Sequence, residues 1–283
     1  MAGFQDCTKI EFTEDDDPRV PLCNYFGYDP IFVENFRTFA NIEKLLQGIN
    51  KDYEKAILIT NWVHNQWKHN GINEPSVAEP IQILKEAKLG KKFRCVEYSI
   101  VLHAALNCYG VKSRVLYLRT HDVETRPFGA GHVVVECYLE NMGKWALFDP
   151  QVNIHFEKNG IPLNAVELQR ELNTSSEDVL MLVSNARLAK RLKTRYSKWI
   201  CKYLYYFHTD QVAVFPPKYP RTQIVLMPLN AKAPAKFQGS AIREKIIPTN
   251  SYKAFYPNQK KFSWEYLKGH GFSCWPNPFK GWL

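Results

Sequence analysis

The chain has 283 residues, of which 45% are hydrophobic and 23% charged, and a formal net charge of +9. That composition supports an apolar core and excludes the low-hydrophobicity regime of disordered chains. The longest apolar runs, such as residues 100–106, fall well short of the roughly 18 residues that span a bilayer, which excludes a transmembrane helix. No basic segment followed by an apolar stretch opens the sequence, so no signal peptide is expected and a soluble cytoplasmic protein is the expectation. Seven cysteines (Cys7, Cys23, Cys95, Cys108, Cys137, Cys201, Cys274) are too sparse for a disulfide scaffold, and none are at C-x-x-C spacing. Free thiols are therefore expected in a reducing compartment, without a structural zinc site.

The first 40 residues hold an acidic tip (Glu14, Asp15, Asp16, Asp17), prolines and scattered aromatics, and read as an irregular extension wrapped on the body. Between residues 51 and 69 the stripe Tyr53, Ala56, Ile57, Thr60, Val63 and Trp67 has helical spacing and stops at Asn70-Gly71. A second helix starts at Pro80, with Ile81, Leu84 and Ala87 on one face, and ends at Gly90. Residues 95–109 are apolar or small on nearly every side up to Gly110, the pattern of a helix covered all round at the centre of a domain. Strands are predicted at 112–119, 132–139 and 144–149, the last two joined by Glu140-Asn141-Met142-Gly143. Helices followed by consecutive antiparallel strands predict an α+β fold.

Beyond residue 164 the sequence predicts a short helix opened by Asn164, with Glu167 three residues on, and then a long basic helix. The latter carries Arg187, Lys190, Arg191, Lys193, Arg195, Lys198 and Lys202, with Leu188, Leu192, Tyr196 and Ile200 between them. This is an amphipathic surface helix with a solvated basic face; an anionic partner, nucleic acid or an acidic protein, is the other reading. Strands are expected near 211–215 and 222–229, and another wrapping segment over the last 50 residues. The organisation expected is an N-terminal extension (1–50), a catalytic core (51–165), and a C-terminal helix and strands (166–283) completing the same domain.

Three residues carry the chemistry. An isolated Cys, a strand His and an Asp-Pro turn each have ordinary structural explanations, but Cys95, His132 and Asp149 stand in a connected arrangement. Cys95 opens the buried helix, where free N–H groups and the helix dipole favour an anion and hence a thiolate nucleophile. Lys91, Lys92 and Arg94 add positive charge nearby. The N–H groups of the same turn are placed to receive the oxyanion of a tetrahedral intermediate. If residues 140–143 form the turn, Leu139 pairs with Lys144 and position 134 with Asp149, so His132 lies two residues along on the same face. Asp149 then orients the imidazole and leaves its other nitrogen for Cys95.

Residues 90–119, beginning Gly-Lys-Lys-Phe-Arg-Cys-Val-Glu-Tyr-Ser, resemble the nucleophile block of the transglutaminase-like superfamily, which has a papain-like cysteine protease fold. Gly131-His132-Val-Val-Val-Glu136 resembles the family's His block, and Lys144-Trp145-Ala-Leu-Phe-Asp149-Pro150 its Asp-Pro block. Residues 54–70 also resemble the helix that precedes the core, and the whole likeness runs from about 50 to 150. It implies Cys95 as nucleophile, His132 as base then acid and Asp149 as orienting carboxylate, attacking an amide or ester carbonyl through a thioester. Phe93 stands where the pattern often has Gly, and Val134 replaces an aromatic. No acidic calcium loop accompanies the core, which is of the bacterial type. Trp145, Phe93 and Gly131 are the expected substrate-contacting residues, with the Gly129/Gly131 loop as a cleft rim. Glu136 reads as a strand residue, and His121-Asp122 lack the convergent ligands of a metal site.

The function expected is thiol-dependent acyl transfer on a peptide, isopeptide or amide bond, with hydrolysis, as in a protease or amidase, favoured over crosslinking. The alternative is a non-enzymatic peptide- or protein-binding module of the same fold. No cofactor, no metal, no membrane and no nucleic-acid partner is expected; the partner is a peptide or protein amide.

Overall fold

The computed structural model describes residues 7, 9–21, 23–174, 179–183, 186–187, 190–213, 221–257 and 262–266. Its first elements are β1 (Cys23–Gly27), α1 (Pro30–Ala40), a 3-10 turn (Glu43–Leu46), α2 (Asp52–His64), α3 (Pro80–Lys88) and α4 (Cys95–Cys108). The central strands are β2 (Ser113–Arg119), β3 (Gly131–Leu139), β4 (Lys144–Asp149), β5 (Ile154–Lys158) and β6 (Ile161–Pro162), followed by α5 (Ala165–Asn173). After these come β7 (Val179–Val183), β8 (Ala186–Arg187), α6 (Lys190–Cys201), β9 (Tyr206–Asp210), β10 (Val212–Ala213) and β11 (Thr222–Leu226). The last are β12 (Lys236–Phe237), β13 (Ser240–Ala241), β14 (Lys245–Thr249), α7 (Tyr252–Phe255) and β15 (Phe262–Tyr266). The fold is α+β, as the order of helices and strands predicts.

One sheet organises the molecule, in the order β14-β11-β9-β2-β3-β4-β5-β7-β8, with β6 beside β5. Its pairings are antiparallel except for β11 with β14, an edge strand whose Pro248 is tolerated because an edge needs no donor toward solvent. The β3–β4 hairpin has the expected register, Leu139 opposite Lys144 through Val135 opposite Phe148, with Gly143 at φ 64° closing the turn. Alternation along β3 sends Val133, Val135, Cys137 and Leu139 into one core and Val134 and Tyr138 into another. The first core lies between the sheet and α1–α4, with α4 buried at every residue after Cys95. The second lies on the opposite face, beneath α5, α6 and the C-terminal strands.

Three expectations are corrected here. The first 40 residues are not irregular throughout: α1 is capped by the Asp29 side chain on the Phe32 N–H at 3.0 Å, opens with Pro30, and buries Phe32 and Phe36 one turn apart. The last 50 residues are likewise not purely a wrapping segment, since they supply β14 and α7. Finally, not all cysteines are thiols, because Cys7 is joined to Cys201 across a sequence separation of 194, a pairing that spacing alone cannot reveal. Such bonds persist under oxidising conditions and are rare where thiols are kept reduced. Cys95, Cys108 and Cys137 are free, while Cys274 and residues 214–215 of an expected strand lie outside the described residues.

Candidate active site

The first turn of α4 is fixed by charge as well as packing. The Glu97 carboxylate accepts the Arg94 N–H at 3.0 Å and its guanidinium at 2.7 Å, while Arg94 also reaches Glu74 at 2.5 Å. Glu97 is wholly buried; that burial raises its pKa against the opposing pull of Arg94. Arg94 is therefore committed to two carboxylates and Lys91 to Glu86 at 2.7 Å, and Lys92 is exposed. Of the three, Arg94 locks the turn that presents Cys95. The sulfur's own assets are the helix N-terminus and its partner imidazole.

His132 is 2% exposed and Asp149 not at all, and His132 Nε2 lies 2.8 Å from Asp149 Oδ2. With Nε2 engaged, Nδ1 is the nitrogen left for Cys95, the other side chain hydrogen-bonded to His132. Burial alone would lower the imidazole pKa, but the Asp149 carboxylate and then Cys95 outweigh it and raise it. Asp149 also accepts the Tyr196 hydroxyl on Oδ2 at 2.7 Å and the Gln151 N–H on Oδ1 at 3.0 Å. The structure thus brings Cys95, His132 and Asp149 together.

A cavity of about 220 Å³ opens at Cys95 and His132, with His69, Tyr117, Arg119, Phe128, Trp199 and Phe237 among its walls. Gly131 lines it, and a Cβ there would meet the Phe237 ring at 3.2 Å. Gly129, at φ 66°, lies on the same rim. Trp145 and Phe93, the other two expected substrate contacts, are not among the residues lining this cavity. Trp145 shares the parity of Asp149 but sits four residues back along β4, about 13 Å away at strand rise. It is buried under Arg114 at 4.3 Å and donates its indole N–H to the Pro257 carbonyl at 3.3 Å. Phe93 is fully buried edge-on against Trp67, and its carbonyl takes the Asn70 N–H at 2.8 Å. Val134, in place of an aromatic, is likewise core.

Sequence reasoning missed the cover over His132. The Trp199 ring stands edge-on at 4.7 Å and Tyr203 lies at 5.8 Å, both from α6 or just beyond it. The inward face of α6 is Tyr196, Trp199 and Ile200, continued by Tyr203; Leu192 of the expected stripe is 51% exposed and Leu188 lies outside the described residues. The three-residue step from Tyr196 to Trp199 was the available signal. Glu136 is more than a strand residue: it is buried against Arg114 at 2.8 Å and accepts the Ala165 N–H and the Tyr256 hydroxyl. His121 meets Tyr205 edge-on, and Asp122 pairs with Arg126 at 2.9 Å. Among the described residues no group of His, Cys, Asp and Glu is arranged to hold a metal ion, and no helix is long and apolar enough to cross a membrane.

A half-buried thiol at a helix start, beside a buried imidazole–carboxylate pair, is an arrangement chemically able to support nucleophilic thiol chemistry. Residues 40–150 match the family model of the transglutaminase-like superfamily. No curated protein matches the chain. Among solved structures the chain is similar to a candidate cysteine protease from Cytophaga hutchinsonii, at 17% identity over 50% of this chain and 46% of that one, with a TM-score of 0.33. It is also similar to a candidate protease from Parabacteroides distasonis, at 15% identity over 55% of this chain and 27% of that one, with a TM-score of 0.30. The chain thus spans less than half the length of either protein.

Proposed function

We propose that this chain is a cysteine hydrolase acting on a peptide, isopeptide or amide bond, with Cys95 as nucleophile, His132 as base then acid, and Asp149 as orienting carboxylate. The observation that carries the reading is the buried His132–Asp149 pair at 2.8 Å, with Cys95 and His132 both lining one solvent-open cavity. The Cys95 sulfur attacks the carbonyl carbon while His132 Nδ1 holds the thiol proton. The tetrahedral oxyanion is received by first-turn N–H groups of α4, which have no intrahelical acceptor. Collapse breaks the C–N bond, the leaving amine takes the proton from His132, and a thioester remains on Cys95. Water, deprotonated by His132, then displaces the sulfur to give the carboxylic acid and regenerate the thiol. Hydrolysis is favoured over amine transfer because Cys95 is half-buried and reachable by water.

The test is turnover of fluorogenic peptide amides by the wild type, Cys95→Ala, His132→Ala and Asp149→Asn, with and without a primary amine. Cys95→Ala is expected to abolish turnover and His132→Ala to be nearly as severe, on the order of 10³-fold or more, since the three act as a unit. Asp149→Asn is expected to cost about 10- to 10⁴-fold, because it leaves the thiol and imidazole in place. Equal turnover by Cys95→Ala and wild type rejects the mechanism in favour of a binding module. Amine incorporation exceeding hydrolysis rejects the hydrolase preference alone.

A further inference from the structure

We propose that Tyr196, on a helix beyond the segment that matches the superfamily, is a positioning residue of this site: its hydroxyl shares Asp149 Oδ2 with His132 and so sets how firmly the carboxylate holds the imidazole's proton. The inference rests on the reading of Cys95, His132 and Asp149 as one catalytic apparatus.

The geometry is specific. Asp149 is fully buried and takes three donors, His132 Nε2 at 2.8 Å and Tyr196 Oη at 2.7 Å on Oδ2, and the Gln151 N–H at 3.0 Å on Oδ1. Tyr196 belongs to α6, which starts forty residues after the superfamily match ends at residue 150. Its phenol is buried, and burial followed by the Asp149 charge holds its pKa well above the usual value, so it stays a donor throughout the working range. It is seated there by the Phe156 and Trp199 rings at 5.9 and 5.5 Å. The same helix places Trp199 edge-on over His132, so one face of α6 touches both members of the buried pair.

A buried carboxylate must be compensated, and each donor on one oxygen reduces what the next can gain. With Tyr196 present, Asp149 does not depend on His132 alone, and the imidazolium can release its proton to a leaving amine. With the hydroxyl removed, the carboxylate leans on the imidazolium, which keeps its proton to higher pH and becomes a poorer acid. The other titratable or charged groups around the pair are Cys95, Tyr98 and Arg94 on α4, His69 on the cavity wall, Arg119 on β2, and Tyr203 with Lys202 and Arg126 beside it. None of these is hydrogen-bonded to Asp149 in the structure, whereas Tyr196 is.

The experiment is an NMR titration of ¹⁵N-histidine-labelled full-length protein, with the His132 imidazole assigned by its loss in His132→Gln, and turnover measured alongside. In Tyr196→Phe, which keeps the ring and its packing, the His132 midpoint is expected to rise by about one unit and turnover at neutral pH to fall about tenfold. A midpoint unmoved in a folded Tyr196→Phe protein overturns the inference, whatever happens to turnover, because a merely structural tyrosine would change stability and not this midpoint. If Tyr196→Phe does not fold, replacing tyrosine with 3-fluorotyrosine reads the same bond from the other side. A stronger phenol donor is expected to lower the midpoint, and no movement overturns the inference. The underlying functional reading fails separately: it is contradicted if the wild-type His132 midpoint is unchanged in Cys95→Ser, which would mean that thiol and imidazole are not coupled.

Discussion

The core under α4 draws on residues 28–148, close in the chain and largely within the superfamily match, whereas the core on the opposite face gathers residues from Cys7 to Phe255. The catalytic candidates divide between them. Cys95 packs on the first core, while His132 shares the parity of Val134 and is covered by Trp199 and Tyr203 from the second half of the chain. The proposed nucleophile is therefore supplied by a locally written helix, and the dry surroundings of its proposed base by segments distant in sequence. A half-buried thiol must meet substrate, but a buried imidazole–carboxylate pair is strong only where water is excluded. The second half of the molecule supplies that exclusion.

Perturbations in both halves sharpen this contrast. The largest effect is expected in the α4 core, where Leu102→Ala removes a fully buried side chain and should cost about 2–5 kcal/mol in denaturant unfolding. A smaller loss would show that the helix is less tightly enclosed than its burial indicates. On the opposite face, Cys201→Ser opens the bond to Cys7 and should cost about 2–4 kcal/mol, read as a lower melting temperature that reductant reproduces in the wild type but not in the variant. Since α6 ends at Cys201, turnover should fall in the same experiment; unchanged turnover would show that Trp199 and Tyr196 are held without that anchor.

Acid should weaken the α4 side. His103 is buried in α4 against Ser113 and Asn107, and burial lowers its pKa from 6.5 to about 4. The unfolded chain takes up a proton below about 6.5 that the folded chain refuses until about 4, so His103 lowers stability progressively as pH falls through that window. His132 has the opposite sign. Its raised folded value stabilises the protein fully below about 6.5 and loses that contribution only as pH rises toward about 10. Melting curves of His103→Gln and His132→Gln against the wild type check both: the first should flatten the acid side and the second the alkaline side. The smallest catalytic effect is expected for Trp199→Ala, whose edge-on contact with His132 is worth about 0.5–1.5 kcal/mol, or up to about tenfold in turnover. Replacing the exposed Arg191 and Arg195 should leave turnover unchanged, with nucleic-acid binding weak and steeply salt-dependent in both proteins.

What could be read from the sequence follows the same division. The all-round apolar pattern of 95–109 and the Gly110 stop located α4, and the four-residue turn at 140–143 fixed the register that places His132 beside Asp149. These are local signals of period and turn chemistry. The face of α6 could not be settled that way: leucine spacing pointed to Leu192, but the surface awaiting the helix is the His132–Asp149 end of the sheet, and Trp199 and Tyr196 fill it. The Cys7–Cys201 pairing and the Glu136–Arg114 anchor depend on residues more than twenty positions apart, for which a single sequence carries no pairing signal. Trp145 lies beneath Arg114 and the C-terminal helix α7, because its nearness to Asp149 in sequence becomes distance along an extended strand.

The central claim is that the Cys95 thiol reacts as it does because His132 holds its proton, and it can be tested without knowing the substrate. Wild type and His132→Ala would be treated with limiting iodoacetamide at pH 6.5, and every alkylated cysteine located by peptide mass mapping. The account predicts that Cys95 is modified first in the wild type, ahead of the buried Cys108 and Cys137, and at least tenfold more slowly in His132→Ala. Alkylation of Cys95 at the same rate in both proteins would contradict it.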